Sequence, residues 1–164
     1  MKKVYRVLAY VLAAEVIVQA MAVAYGIAGV GKYVEDGHPL TKAVMDADNP
    51  DFQGVGGFMI HGMNGMMIIP LLTIAFLVVS FFTKTAGASK RAGILFGLIA
   101  LQITLGLSSH SVPALAPLHV LNGFGIFTLA ALTGYRFSTA AGAHAPQGVS
   151  VPAQAGAPNQ SAKV

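Results

Sequence analysis

Three long stretches of this chain carry almost no charge, and they decide what it can fold into. Between Arg6 and Lys32 lie 25 residues in which Glu15 is the one charged side chain. Between Asp51 and Lys84 lie 32 residues with none, and between Arg91 and Arg136 lie 44 with none. A helix crosses a bilayer with about 20 apolar residues. The first two stretches therefore hold one span each, and the third holds two, divided between Ser108 and Pro117. The spans are placed at 5–30, 57–82, 92–109 and 117–135. Backbone polar groups inside the apolar layer must pair internally, so the spans are helices. The expected fold class is all-α: an integral membrane, up-down-up-down four-helix bundle over residues 1–137. Composition agrees, since 10% of the 164 residues are charged, against about 25% in ordinary soluble domains.

The basic residues give the orientation. Lys2, Lys3, Arg6, Lys84, Lys90, Arg91, Arg136 and Lys163 fall on one side with no acidic residue among them. Lys32 and Lys42 share the other side with Glu35, Asp36, Asp46, Asp48 and Asp51. The positive-inside rule places both termini in the cytoplasm. This asymmetry accounts for most of the net charge of +4, so no nucleic-acid partner is expected. Glu15 within the first apolar stretch argues against a cleaved signal peptide. The loop 31–56 has room for a short helix near 40–47. Pro70 should interrupt the second span by removing the bond to Met66, and Pro117 suits the first turn of the fourth. From residue 138 the chain turns to Ala, Gly, Pro and Gln and reads as a disordered cytoplasmic tail to residue 164.

The chain has no cysteine, which excludes disulfides, thiolate metal sites, iron–sulfur clusters and covalently attached haem. What remains is an internal echo. The second span opens with His61-Gly62-Met63-Asn64-Gly65 and the fourth with His119-Val120-Leu121-Asn122-Gly123. Both read His-x-x-Asn-Gly, on helices expected to run the same way. The first and third spans echo each other only through Gln19 and Gln102. The chain thus reads as two pseudo-symmetric helix hairpins. Second and fourth helices are diagonal partners in such a bundle, so His61 and His119 can ligate one haem iron from opposite faces. Gly65 and Gly123, one turn on, share the histidine face and leave room for a macrocycle. Asn64, Asn122, Gln19 and Gln102 can hold the histidine rings, the propionates or a neighbouring helix. The expected cofactor is one haem b per chain.

Other residues invite competing readings. Met59, Met63, Met66 and Met67 surround His61, and methionine with histidine can bind copper, although core methionine is more often filler. Glu15 is an acid near mid-span that should face the bundle along with Gln19, Ala22 and Gly26. Burying it costs about 2.5–3.5 kcal/mol, and structural and proton-transfer roles are evenly balanced. His38 and His110 belong to the outer loops, with His110 one turn beyond Gly106 and able to look onto the same cavity. His144 sits in the tail.

The run Leu101-Gln102-Ile103-Thr104-Leu105-Gly106, then a turn with Pro113 and Pro117, then His119, resembles one half of a haem A synthase. The whole chain also looks like short four-span bacterial membrane proteins of unassigned function. The resemblance implies a haem-binding scaffold in a bacterial plasma membrane, with histidines opening the second and fourth helices. It does not extend to methyl oxidation. Glu35 and His38 are three apart, where the synthase has Glu-x-x-x-His, and the chain holds one half where the synthase has two. The expected function is that of a b-type cytochrome passing electrons between a quinone or a protein partner and an outer acceptor. The alternatives are an accessory subunit of a respiratory or transport complex, and an enzyme acting on haem or a lipid-soluble substrate.

Overall fold

The computed structural model describes residues 1–47 and 50–142. Among the described residues all regular structure is helical. Helix α1 runs Lys2–Glu35 and α2 Lys42–Met45. The second long helix is α3 (Val55–Met63), a π turn (Asn64–Ile68) and α4 (Ile69–Phe81) in sequence. Helix α5 runs Ala88–Ser109, and after a single 3-10 turn at Pro113–Leu115, α6 runs Ala116–Gly142. Four helical segments, Lys2–Glu35, Val55–Phe81, Ala88–Ser109 and Pro113–Phe137, are long and apolar enough to cross a membrane. The shortest has 22 residues, or about 33 Å of helix against about 30 Å of hydrocarbon.

Boundaries differ from the sequence reading in instructive ways. Helix α1 extends past Val30 to Glu35, where Lys32 pairs with Asp36 at 2.5 Å, an i,i+4 pair suited to a helix C-terminus. Gly87, at φ +75°, starts α5 ahead of Arg91, so the loop expected over 83–90 is shorter. The tail boundary expected at residue 138 falls inside a helix. Residues 138–142 continue α6, because Ser138-Thr139-Ala140-Ala141 contains good helix formers and no proline. The rest of that tail, with His144, lies outside the described residues. The short helix expected near 40–47 is α2, capped by Thr41, whose hydroxyl accepts from Val44 N–H at 3.3 Å.

Helix α1 packs against α3, α4 and α6, and α5 packs against α4 and α6. Running directions follow from which ends meet. Tyr5 at the start of α1 stacks on Phe76 near the end of α4, with ring centroids 4.3 Å apart, and lies 4.6 Å from Phe137 near the end of α6. Its hydroxyl donates to Ala88 O at the start of α5. Helices α1 and α5 therefore run one way, and α3–α4 and α6 the other.

The buried core fills only the end that holds Tyr5. It comprises Tyr5, Ala9, Leu12 and Ala13 from α1, Ile69 and Phe76 from α4, Ala88, Ala92, Leu95 and Ile99 from α5, and Ile126, Ala130 and Phe137 from α6. Beyond Ile99 and before Ile126, no described side chain of α5 or α6 is fully buried. The opposite end closes by contact between α1 and α3. Gly54, at φ +91°, starts α3, and a Cβ there would lie 2.6 Å from Tyr25 O. A Cβ at Gly57 would lie 2.3 Å from Ala22 O. Only glycine allows the two backbones this close.

The core reveals a repeat that composition hides. Tyr5, Ala9, Leu12, Val16 and Gln19 of α1 correspond to Ala88, Ala92, Leu95, Ile99 and Gln102 of α5 at a constant shift of 83 residues. In the other pair, His61, Asn64 and Gly65 correspond to His119, Asn122 and Gly123 at a shift of 58. The buried Ile69, Thr73, Phe76 and Ser80 instead correspond to Ile126, Ala130, Thr133 and Phe137 at a shift of 57. One extra residue thus sits between His61 and Ile69. The π turn over Asn64–Ile68 absorbs it, with Ile69 N–H bonding back to Asn64 O, as a single inserted residue in a helix does. It ends just before Pro70, which has no N–H to offer Met66.

Candidate functional site

The half-exposed interior above the core holds the polar residues singled out from the sequence. His61 and His119 meet there, with ring centroids 6.1 Å apart and ring planes at 63°. Each ring is held by a glutamine of an adjacent antiparallel helix. His119 Nδ1 donates to the backbone oxygen of Gln102 at 3.0 Å, while the Gln102 side-chain amide nitrogen lies 3.1 Å from His119 Nε2 and donates to it. His61 Nδ1 lies 3.3 Å from the backbone oxygen of Gln19. With its amide nitrogen toward His61, Gln19 donates to the His61 carbonyl at 3.1 Å.

The asparagines complete the pattern. Asn122 Nδ2 donates to Gln102 Oε1 at 2.7 Å and to Leu98 O at 2.9 Å. Asn64 Nδ2 donates to the amide oxygen of Gln19 at 3.2 Å and to Glu15 Oε2 at 2.6 Å. Two matching triads result, Gln19–His61–Asn64 and Gln102–His119–Asn122. In each, the glutamine amide gives its N–H to the histidine residue and takes one from the asparagine. Among the described residues every fully buried side-chain polar atom has a partner, as a protein interior requires.

The glycines have a more local use than the sequence suggested. A Cβ at Gly65 would touch the Gln19 amide at 3.7 Å, and one at Gly123 would reach Gln102 Nε2 at 3.4 Å. Their space is taken by the two glutamine side chains. Gly106 matters as well, because a Cβ there would lie 3.0 Å from His119 Cε1. Its signal was present in the sequence as the position one turn after Gln102 on the same helix face. His110 does not join it: it caps the end of α5 and is exposed. His38 is exposed and stacks on Tyr33 at 4.8 Å. Met59, Met63, Met66 and Met67 are each at least half exposed, on the outside of their helix rather than in the interior with His61.

The donor set restricts the chemistry. Among the described residues no group of three or more His, Cys, Asp or Glu could hold a metal ion. Two imidazoles alone leave zinc two ligands short and a hard cation without oxygens. They suit a metal that arrives with its own equatorial ligands. With metal–nitrogen bonds of about 2.0–2.1 Å and about 1.1 Å from nitrogen to ring centre, two trans imidazoles have centroids about 6 Å apart. The observed separation fits. The Nδ1–carbonyl bond at His119 also leaves Nε2 as the unprotonated nitrogen, the usual arrangement for a ligating imidazole.

Comparison with protein-family models, with curated proteins and with solved structures returns no match.

Proposed function

We propose that this chain is a bis-histidine b-type haem protein of the bacterial plasma membrane, built as an up-down-up-down helix bundle with both termini in the cytoplasm. The observation that carries the reading is the meeting of His61 and His119, each held by the glutamine of its own triad, with ring centroids 6.1 Å apart. The side chains of the two triads are partly exposed, while the core at the other end is buried. Haem held by two imidazoles would supply a one-electron couple there. Electron transfer is therefore the function, with a quinone or a respiratory membrane protein as partner and membrane lipid around the helices.

The protein's own residues do three things at this site. His61 and His119 would hold the iron. The Gln102 backbone oxygen orients the His119 ring through Nδ1, fixing its tautomer, and Gln19 holds the His61 ring at Nδ1. The Gln102 side-chain amide donates to His119 Nε2, the nitrogen that would ligate iron. The resemblance of the Gln102–Gly106 segment and His119 to a haem A synthase half supports the same scaffold without its oxidation chemistry. The test is the absorption spectrum of the detergent-purified protein, oxidised and reduced. A Soret band with sharp, split reduced bands of a low-spin haem is expected. A colourless protein that also fails to take up added haem would overturn the reading and leave an accessory membrane subunit in its place.

A further inference from the structure

Glu15 breaks the match between the two halves. At the shift relating α1 to α5 its counterpart is Leu98. Asn122 reaches Leu98 and bonds its backbone oxygen at 2.9 Å. Asn64, its counterpart, reaches the same position on α1 and bonds the Glu15 carboxylate at 2.6 Å. Leu98 proves that the position can be filled by an apolar side chain. A carboxyl group there costs about 2.5–3.5 kcal/mol in a membrane, and packing does not call for it. Glu15 is also wired to the site. Asn64 bridges it to the Gln19 amide, and Gln19 bonds the His61 residue. The ionisable side chains nearest this level on the packed helices are His61 on α3 and His119 on α6. Helix α4 carries none, Lys90 and Arg91 of α5 lie at the opposite end, Tyr10 of α1 lies against Gly134, and Tyr25 backs Gly54.

We propose that Glu15 is the proton-accepting group of the redox site. It takes up one proton when the His61–His119 centre gains one electron, and it releases that proton on oxidation. This rests on the haem reading above. The step balances as one electron from a one-electron donor, such as a quinol or a reduced mediator dye, and one proton from water onto the Glu15 carboxylate. No covalent bond other than the O–H changes, and the net charge of the interior stays constant. Holding that charge constant is the physical gain, because uncompensated charge is costly in a low-dielectric interior.

The test is a spectroelectrochemical titration of the haem-loaded full chain from acidic to alkaline buffer. The wild-type midpoint potential should fall as pH rises, approaching 59 mV per pH unit, the value of a tenfold change for one electron. Glu15→Gln should retain the haem spectrum and flatten that slope. Redox-difference infrared spectra should show a carboxylic-acid band on reduction that Glu15→Gln lacks. If Glu15→Gln fails to load haem, Glu15→Asp takes its place. It should displace the pH range over which the potential falls, and a potential–pH curve identical to wild type would overturn the proposal. A wild-type potential independent of pH, or a slope unchanged in Glu15→Gln, overturns it while the haem reading stands. Absence of any haem spectrum in the wild type overturns both.

Discussion

Gly56 and Gly57 are neighbours on α3 with opposite surroundings, and replacing each by alanine separates helix propensity from helix contact. A Cβ at Gly57 would stand 2.3 Å from Ala22 O and 2.8 Å from Gly26 N, both backbone atoms of α1. To reach ordinary contact, which begins at 3.4 Å, the two helices must part by roughly 1 Å. Overpacking of this kind costs about 1–3 kcal/mol. A Cβ at Gly56 meets nothing within 4 Å. Both variants gain the same helix preference, about 0.5–1 kcal/mol, so that term cancels between them. Gly57→Ala should therefore be less stable than Gly56→Ala by about 1–3 kcal/mol. The assay is reversible denaturation in mixed micelles, followed by far-UV circular dichroism. Gly57 also lies one turn before His61, so parting α3 from α1 should stretch the Gln19–His61 contacts and weaken haem retention. A Gly57→Ala protein as stable as Gly56→Ala would refute the close-contact reasoning.

Three further outcomes are expected. Gln102→Leu keeps the backbone oxygen that orients His119 but removes the amide that occupies Nε2. The haem-free protein should lose about 1 kcal/mol while haem affinity in a fluorescence-quenching titration stays the same or rises; a loss beyond about tenfold would contradict the role given to the amide. Tyr5→Phe removes the bond to the carbonyl of Ala88, which keeps its helical partner, and should destabilise by about 0.5–1.5 kcal/mol in the same denaturation assay, with the absorption spectrum unchanged, since Tyr5 lies at the opposite end from the histidines. For topology, a cysteine at Asp46 should react with an impermeant maleimide in intact cells and one at Lys84 should not; the reverse pattern would invert the orientation.

The sequence makes the four helices legible because charge is excluded from them almost completely, a signal that survives without any homologue. His61, Asn64, His119 and Asn122 are legible because their motif is contiguous. The likeness of α1 and α5 is not, because it resides in which positions are buried rather than in which residues fill them: Tyr5 against Ala88 looks like no match at all until both are seen packed together. The π turn was hidden for a related reason. Its trace is a one-residue change of register between the His61 motif and the Ile69 face, and that change needs the burial of Ile126, Ala130 and Phe137 to be visible. Pro70 pointed to an interruption, without telling a bend from an inserted residue. Glu15 was recognisable as costly, but its partner Asn64 follows only from the register between α1 and the π turn.

Spectra of haem-loaded single variants, prepared side by side, decide whether His61 and His119 act as one pair. His61→Ala and His119→Ala should each lose the low-spin spectrum and most of the bound haem. His38→Ala and His110→Ala, whose side chains are exposed in the loop and at the helix end, should match the wild type. Retention of a normal low-spin spectrum by either His61→Ala or His119→Ala would contradict the paired site.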